Sequence, residues 1–92
     1  MLLVVEMRVH LKFVGKFHEE FSTEDAWIYL QNGATMKEVL EKLERDKSIK
    51  VNLQDSGMVI LVNGKRMEFV GGLIAVLKDL YEIVIMPIIG GG

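Results

Sequence analysis

The spacing of apolar residues in this chain changes period once and then changes back, which leaves room for one main helix among strands. Met7, Val9, Leu11 and Phe13 alternate with Arg8, His10 and Lys12, the period of two that turns one strand face to a core and the other to water. A strand is expected over 2–13. After Asn32-Gly33 the recurrence becomes three and four: Met36, Val39, Leu40 and Leu43 form an apolar stripe, while Lys37, Glu41, Lys42, Glu44 and Arg45 fill the remaining arc. Thr35 followed by Glu38 has the form of a capping box, in which hydroxyl and carboxylate each accept the other residue's amide. Glu38 with Lys42 and Glu41 with Arg45 are spaced for ion pairs along the wet face. This helix should end near Asp46 or Lys47.

The flanks read as strands. Gly15 and the polar stretch 18–25 separate the first strand from a short aromatic and β-branched run, 27–30, and the two are expected to pair as a long hairpin. Residues 47–57 carry turn formers and predict a surface connection or a brief irregular strand. The apolar run 58–62, then Asn63-Gly64, then 65–69 predicts a second hairpin, since both central positions of a type I′ turn need positive φ. Segment 73–77 fits a strand, a short helix or a loop, and 83–86 reads as a central strand buried on both faces. That order describes an α+β domain of β-grasp type, a mixed four- to five-stranded sheet packed on one main helix. The domain is expected to occupy 1–87, with 88–92 as a flexible C-terminal tail.

Composition narrows the chemistry. Eleven Lys and Arg against thirteen Asp and Glu give a net charge of −2, which argues against nucleic-acid and membrane partners, and Lys65-Arg66 is too short for a phosphate-binding patch. With no cysteine there is no disulfide, thiolate zinc site or cysteine nucleophile. His10 and His18 do not make a metal-ligand set, so no metal site is expected. Glu19, Glu20, Glu24 and Asp25 lack the spaced oxygens of a calcium loop and read as a solvated connection, and Ser22 and Thr23 have no triad around them. No apolar run is long enough to span a membrane and no basic leader precedes Glu6, so a cytoplasmic location is expected.

Nine glycines include Gly90, Gly91 and Gly92 in succession. Ordering them costs the most backbone entropy and gives the core no side chain, so the fold does not explain them; a frayed end is the plain alternative. Pro87 is expected to stop pairing of the last strand, and 87–92 could then reach roughly 17 Å, far enough to enter another protein's active site with the carboxylate leading.

Several short segments carry a resemblance. Phe17-His18-Glu19, Gly33-Ala34-Thr35 with Val39-Leu40, Leu61-Val62-Asn63-Gly64, Gly72-Leu73, Leu77-Lys78-Asp79, the run 82–87 and Gly91-Gly92 together resemble the MoaD/ThiS family of ubiquitin-like sulfur carriers. The likeness is to its MoaD-like branch, the small subunit of molybdopterin synthase. Three positions depart from the pattern: Asp79-Leu80-Tyr81-Glu82 lacks the family's turn glycine, so that turn is expected to differ, Ile88 replaces a second proline, and His18 replaces an arginine.

The resemblance implies a carrier or co-substrate, not an enzyme. A ubiquitin-activating-like adenylyltransferase would join the Gly92 carboxylate to AMP, and a sulfur donor would displace AMP to leave a thiocarboxylate. An acceptor such as the molybdopterin synthase large subunit would take the sulfur for molybdenum cofactor biosynthesis. This chain would bind no cofactor, because ATP and metal belong to the activating partner. Gly90 and Gly91 would give the tail access. Val14, Phe69, Met86, Ile88 and Ile89 would form the partner interface, Val14 and Met86 falling at family positions for the activating enzyme. Two alternatives stay open: a protein modifier joined through Gly92 to target lysines, and a non-catalytic β-grasp interaction domain. Pterin, tRNA and thiamine remain possible acceptor pathways.

Overall fold

The alternation along 7–13 becomes strand β1, Glu6–Phe13, in a computed structural model that describes residues 6–21 and 25–88. Met7, Val9, Leu11 and Phe13 are buried and the residues between them face outward. β1 pairs antiparallel with β2, Asp25–Gln31, from Glu6 opposite Gln31 to Lys12 opposite Asp25. The expected hairpin is present, but its connection is partly helical. Gly15 turns the chain at φ 65°, and α1, Lys16–Phe21, follows. Phe17 is buried and Phe21 half-buried, the two lying four apart on one helical face. Phe21 meets Phe13 edge-on at 5.3 Å between ring centroids, which fastens the connection to the core. In a six-residue element this pattern is too brief to stand out from the acidic stretch around it. Residues 2–5 of the expected strand, and Ser22, Thr23 and Glu24, lie outside the described residues.

α2, Met36–Lys47, has the expected limits and cap. The Glu38 amide donates to Thr35 Oγ1 and the Thr35 amide to Glu38 Oε1, each at 3.4 Å. Met36, Val39 and Leu43 are wholly buried and Leu40 half-buried. The anticipated ion pairs along the wet face are replaced by other contacts: Glu38 serves the cap, Lys42 Nζ donates to the Tyr29 carbonyl at 2.5 Å, and Arg45 pairs with Asp46 at 3.2 Å. Ser48, at φ 57°, closes the helix by donating its amide to the Glu44 and Leu43 carbonyls. The connection that follows is the first of the two expected forms, irregular and without a strand, with Ile49 buried beneath it.

The sheet has five strands in the order β2-β1-β5-β3-β4. β5, Glu82–Pro87, is central, parallel to β1 and antiparallel to β3, Met58–Val62. Ile83 and Ile85 are wholly buried, but Val84 and Met86 are only half-buried. The expectation of burial on both faces is therefore corrected. α2 covers one face, and nothing among the described residues covers the other. Asn63 at φ 51° and Gly64 at φ 83° make the predicted turn into β4. β4 itself is only Lys65–Arg66, because the chain then winds into a 3-10 turn, Met67–Phe69, where more strand was expected. Met67 and Val70 both pack on the core, and a strand would have placed residues three apart on opposite faces.

A second 3-10 turn, Gly72–Ile74, and a single bridge from Val76 to Thr35 account for 73–77. Here the Met36 amide donates to the Ala75 carbonyl at 3.0 Å and the Leu77 amide to the Ala34 carbonyl at 2.9 Å, so the start of α2 finds a backbone partner. The result is a mixed sheet crossed by one main helix, the expected α+β, β-grasp architecture. Among the described residues no helix is long and apolar enough to cross a membrane.

Candidate functional site

The terminal segment follows the central strand in sequence, and β5 with Ile88 fixes the point from which it continues. In β5 the odd-numbered residues turn their backbone groups toward β1 and the even-numbered ones toward β3. The Val14 amide accordingly donates to the Ile85 carbonyl at 2.9 Å, and the Asn63 amide to the Glu82 carbonyl at 2.7 Å. Pro87 lacks its N–H on the β1 side, where β1 has already left the sheet at Gly15. Pairing therefore does not stop at Pro87, contrary to expectation: it sits opposite Met58, and the Ile88 amide donates to the Gly57 carbonyl at 2.8 Å. The proline ring lies against Gly15, where an added Cβ would come within 3.2 Å of it. Beside this root Lys16 and Asp55 approach to 3.9 Å. Ile88 is exposed, and Ile89, Gly90, Gly91 and Gly92 lie outside the described residues.

The uncovered sheet face divides into two strips. Over β3 and β5, the cross-strand neighbours Val59–Met86 and Leu61–Val84 make an apolar strip. Over β1 and β2, the Arg8 guanidinium lies 4.9 Å from the Trp27 ring and the His10 ring 4.7 Å from it. His10 also approaches two carboxylates, with Nε2 3.2 Å from Asp25 and Nδ1 3.8 Å from Glu82. Its neighbours are thus a ring tilted at 34° and an acid toward each nitrogen, a structural setting. Among the described residues no group of three or more His, Cys, Asp or Glu is placed to hold a metal ion.

Val14 continues β1 next to Met86 on the uncovered face, so Val14, Met86 and Ile88 gather at the end where the tail leaves. Phe69 is placed elsewhere. It lies on the 3-10 turn beyond β4, across β3 from β5, 77 % exposed, with Arg66 5.9 Å from its ring. Leu61, Val84 and Val59 were not among the sequence candidates, although the alternation within 58–62 and 82–87 assigns them to the same face as Met86 once the register is known.

The turn into β5 also departs from expectation. With no glycine available, Leu80 itself takes a left-handed conformation, φ 67°. Contacts with β1 hold it there. The Arg8 amide donates to Asp79 Oδ1 at 2.9 Å, the Leu80 amide to the Arg8 carbonyl at 2.7 Å, and the His10 amide to the Tyr81 carbonyl at 2.9 Å. A left-handed non-glycine residue costs about 1–2 kcal/mol, which these contacts offset.

The model of the ThiS family matches residues 11–92. No curated protein sequence matches the chain. Among solved structures, small archaeal modifier protein 1 of Methanosarcina acetivorans is 24% identical with a TM-score of 0.70, covering 96% of this chain and 99% of that one. Urm1 of Sulfolobus solfataricus is 27% identical with a TM-score of 0.60, covering 86% and 99%. A Pyrococcus furiosus protein described as molybdopterin converting factor subunit 1 is 19% identical with a TM-score of 0.69, covering 88% and 97%. With a family match over most of its length and a ubiquitin-like sheet and helix to accompany it, this chain belongs to the ThiS family.

Proposed function

We propose that this chain is a sulfur carrier whose reacting group is the terminal carboxylate of Gly92. The observation that carries the reading is the family match extending through Gly91-Gly92, on a chain whose central strand leads into that segment beside an uncovered apolar strip. A ubiquitin-activating-like enzyme would dock on Val59, Leu61, Val84 and Met86, with Val14 and Ile88 at the mouth of its channel. Glycine at 90, 91 and 92 suits passage through a narrow channel because no Cβ stands in the way.

The chemistry then balances in two steps. The Gly92 carboxylate oxygen attacks the α-phosphorus of ATP, and pyrophosphate leaves. Sulfide adds to the acyl carbon of the adenylate and AMP leaves, which gives the thiocarboxylate directly; if a donor persulfide attacks instead, the product is an acyl disulfide, and a second thiol then attacks the donor's sulfur, forming a disulfide with the donor and releasing the thiocarboxylate. The tail presents that sulfur to an acceptor enzyme of the molybdopterin pathway. ATP and metal are held by the activating partner, so this chain acts as co-substrate in the cytoplasm.

The test incubates the chain with its activating enzyme, ATP and a sulfur donor. Intact-mass spectrometry should show exchange of one oxygen for sulfur, lost on deletion of Gly91 and Gly92. Absence of both adenylate and thiocarboxylate with the cognate enzyme would sink the proposal. Likeness to the small archaeal modifier protein supports a second reading, conjugation of the same acyl adenylate to target lysines. Lysines carrying a remnant of this chain's C-terminus in digested extracts would establish it.

A further inference from the structure

Lys16 opens α1 directly after Gly15, the residue against which the Pro87 ring lies, so its side chain stands at the root of the tail. Three neighbours fix its ammonium. Nζ lies 3.9 Å from Asp55 Oδ2 and 5.1 Å from the centre of the Phe17 ring, and a Cβ built on Gly57 would be 3.9 Å away. Asp55 is itself held, because its Oδ1 accepts from the Gly57 amide at 2.8 Å. The Gly57 carbonyl in turn accepts from the Ile88 amide, also at 2.8 Å. Through these links Nζ is no more than roughly 10 Å from the Ile88 amide.

Four residues follow Ile88, three of them glycine. A chain segment of that length and composition has a root-mean-square span of roughly 10–12 Å and an extended reach of about 14 Å. Span and separation therefore match, the condition under which two tethered groups see each other at the highest effective concentration, on the order of millimolar. Other amines are less well placed. Lys12 sits beside Val84 on the uncovered face, where the activating enzyme would dock. Lys65, opposite Val62, and Lys78 belong to the Glu82 end of β5, away from Pro87, and Lys42 is held on the Tyr29 carbonyl. Asp55 does not withhold Lys16: between side chains 57 % and 32 % exposed, a 3.9 Å ion pair is weak, and it ends when the amine is neutral.

We propose that Lys16 is the internal acceptor of the activated Gly92, so that an adenylate released without meeting sulfur closes on its own chain. Ring closure rests on the activation of Gly92 proposed above. The Lys16 ammonium first loses a proton to solvent, and the neutral amine attacks the acyl carbon. The bond from that carbon to AMP breaks, AMP leaves, and the second proton of the amine passes to water. An isopeptide bond now joins Lys16 to Gly92, in a chain one water lighter than the free acid. Its tail has no carboxylate to offer, so the closed form is withdrawn from sulfur transfer and from conjugation alike. The apolar strip over β3 and β5 is untouched.

The full chain bearing a 2-mercaptoethanesulfonate thioester at Gly92 supplies an activated acyl carbon without the activating enzyme, so this outcome is separate from that of the adenylation assay. At mildly alkaline pH, intact-mass spectrometry should show a product one water lighter than the free acid, formed at a rate independent of protein concentration. Tryptic digestion should release residues 13–37 joined to 79–92, because acylated Lys16 is no longer cleaved. Lys16→Arg should slow closure at least about tenfold, and Lys12→Arg should leave it within about twofold. Both side chains point outward and arginine keeps the charge, and circular dichroism melting checks that the variants fold. A thioester that only hydrolyses overturns the proposal. Closure that is equally fast in Lys16→Arg, or whose rate rises with protein concentration, overturns it as well.

Discussion

On the face beneath α2, Val9, Leu11, Ile83 and Ile85 are wholly removed from solvent, while on the opposite face Val59, Leu61, Val84 and Met86 remain half-exposed. The same strands supply both sets by alternation, so strand formation does not distinguish them. Cover does. A single helix with one apolar stripe can bury one face of a sheet, and the residues left over retain an unrealised driving force for contact. The buried face should therefore answer to changes in stability and the open face to changes in binding.

The strongest way to break that division is Leu43→Ala. Leu43 has no solvent exposure, and the cavity should cost about 2–5 kcal/mol in denaturant unfolding, with binding lost only as the protein unfolds. Met86→Glu should do the reverse. Stability should change by less than about 1.5 kcal/mol, whereas adenylation by the activating enzyme, followed by pyrophosphate exchange, should fall at least tenfold, or about 1.4 kcal/mol. Equal losses from both variants would erase the contrast between the faces.

Leu80→Gly sharpens it from another side. Leu80 holds a left-handed conformation at 58 % exposure, so glycine relieves backbone strain and gives up little burial. Stability should rise by about 1 kcal/mol, read as a higher melting temperature. The smallest effect concerns Glu68, at the margin of the sheet beside the exposed Phe69. A hydrogen bond to its own backbone amide, aided by the Arg66 guanidinium 3.0 Å away and against a small desolvation cost, holds its carboxyl below the ordinary value of 4.5. With a folded pKa below the unfolded one, its contribution is present above the unfolded pKa and is lost as the pH falls through the folded one. An NMR titration should find its midpoint below 4.5, and Glu68→Gln should leave neutral-pH stability almost unchanged.

Much of the fold was legible because it rests on short-range rules. The α2 stripe, its Thr35–Glu38 cap and the Asn63-Gly64 turn involve residues at most a few positions apart. α1 is not legible in the sequence because two phenylalanines in six residues do not establish a period. β4 stopped early because Met67 and Val70 both turn to the core, a demand set by distant residues. At the candidate site, Val14 and Met86 were legible through family resemblance. Val59, Leu61 and Val84 needed the strand register, and the position of Phe69 across β3 could not be read without the sheet order.

By itself the sequence determined the period of each element, the helix cap, the type of hairpin turn and the run of glycines at its end, because each depends on local stereochemistry. Only the tertiary structure decided that Pro87 stays in the sheet, that Leu80 takes the conformation usual for glycine, and that Lys42 guards the Tyr29 carbonyl. Each of those depends on a neighbour far away in the chain: β1 leaving at Gly15, the Arg8 carbonyl waiting for the Leu80 amide, and a strand edge lying within reach of a helix. Local preference sets what a segment can form, and long-range contacts decide which of its groups are satisfied and which remain open to a partner.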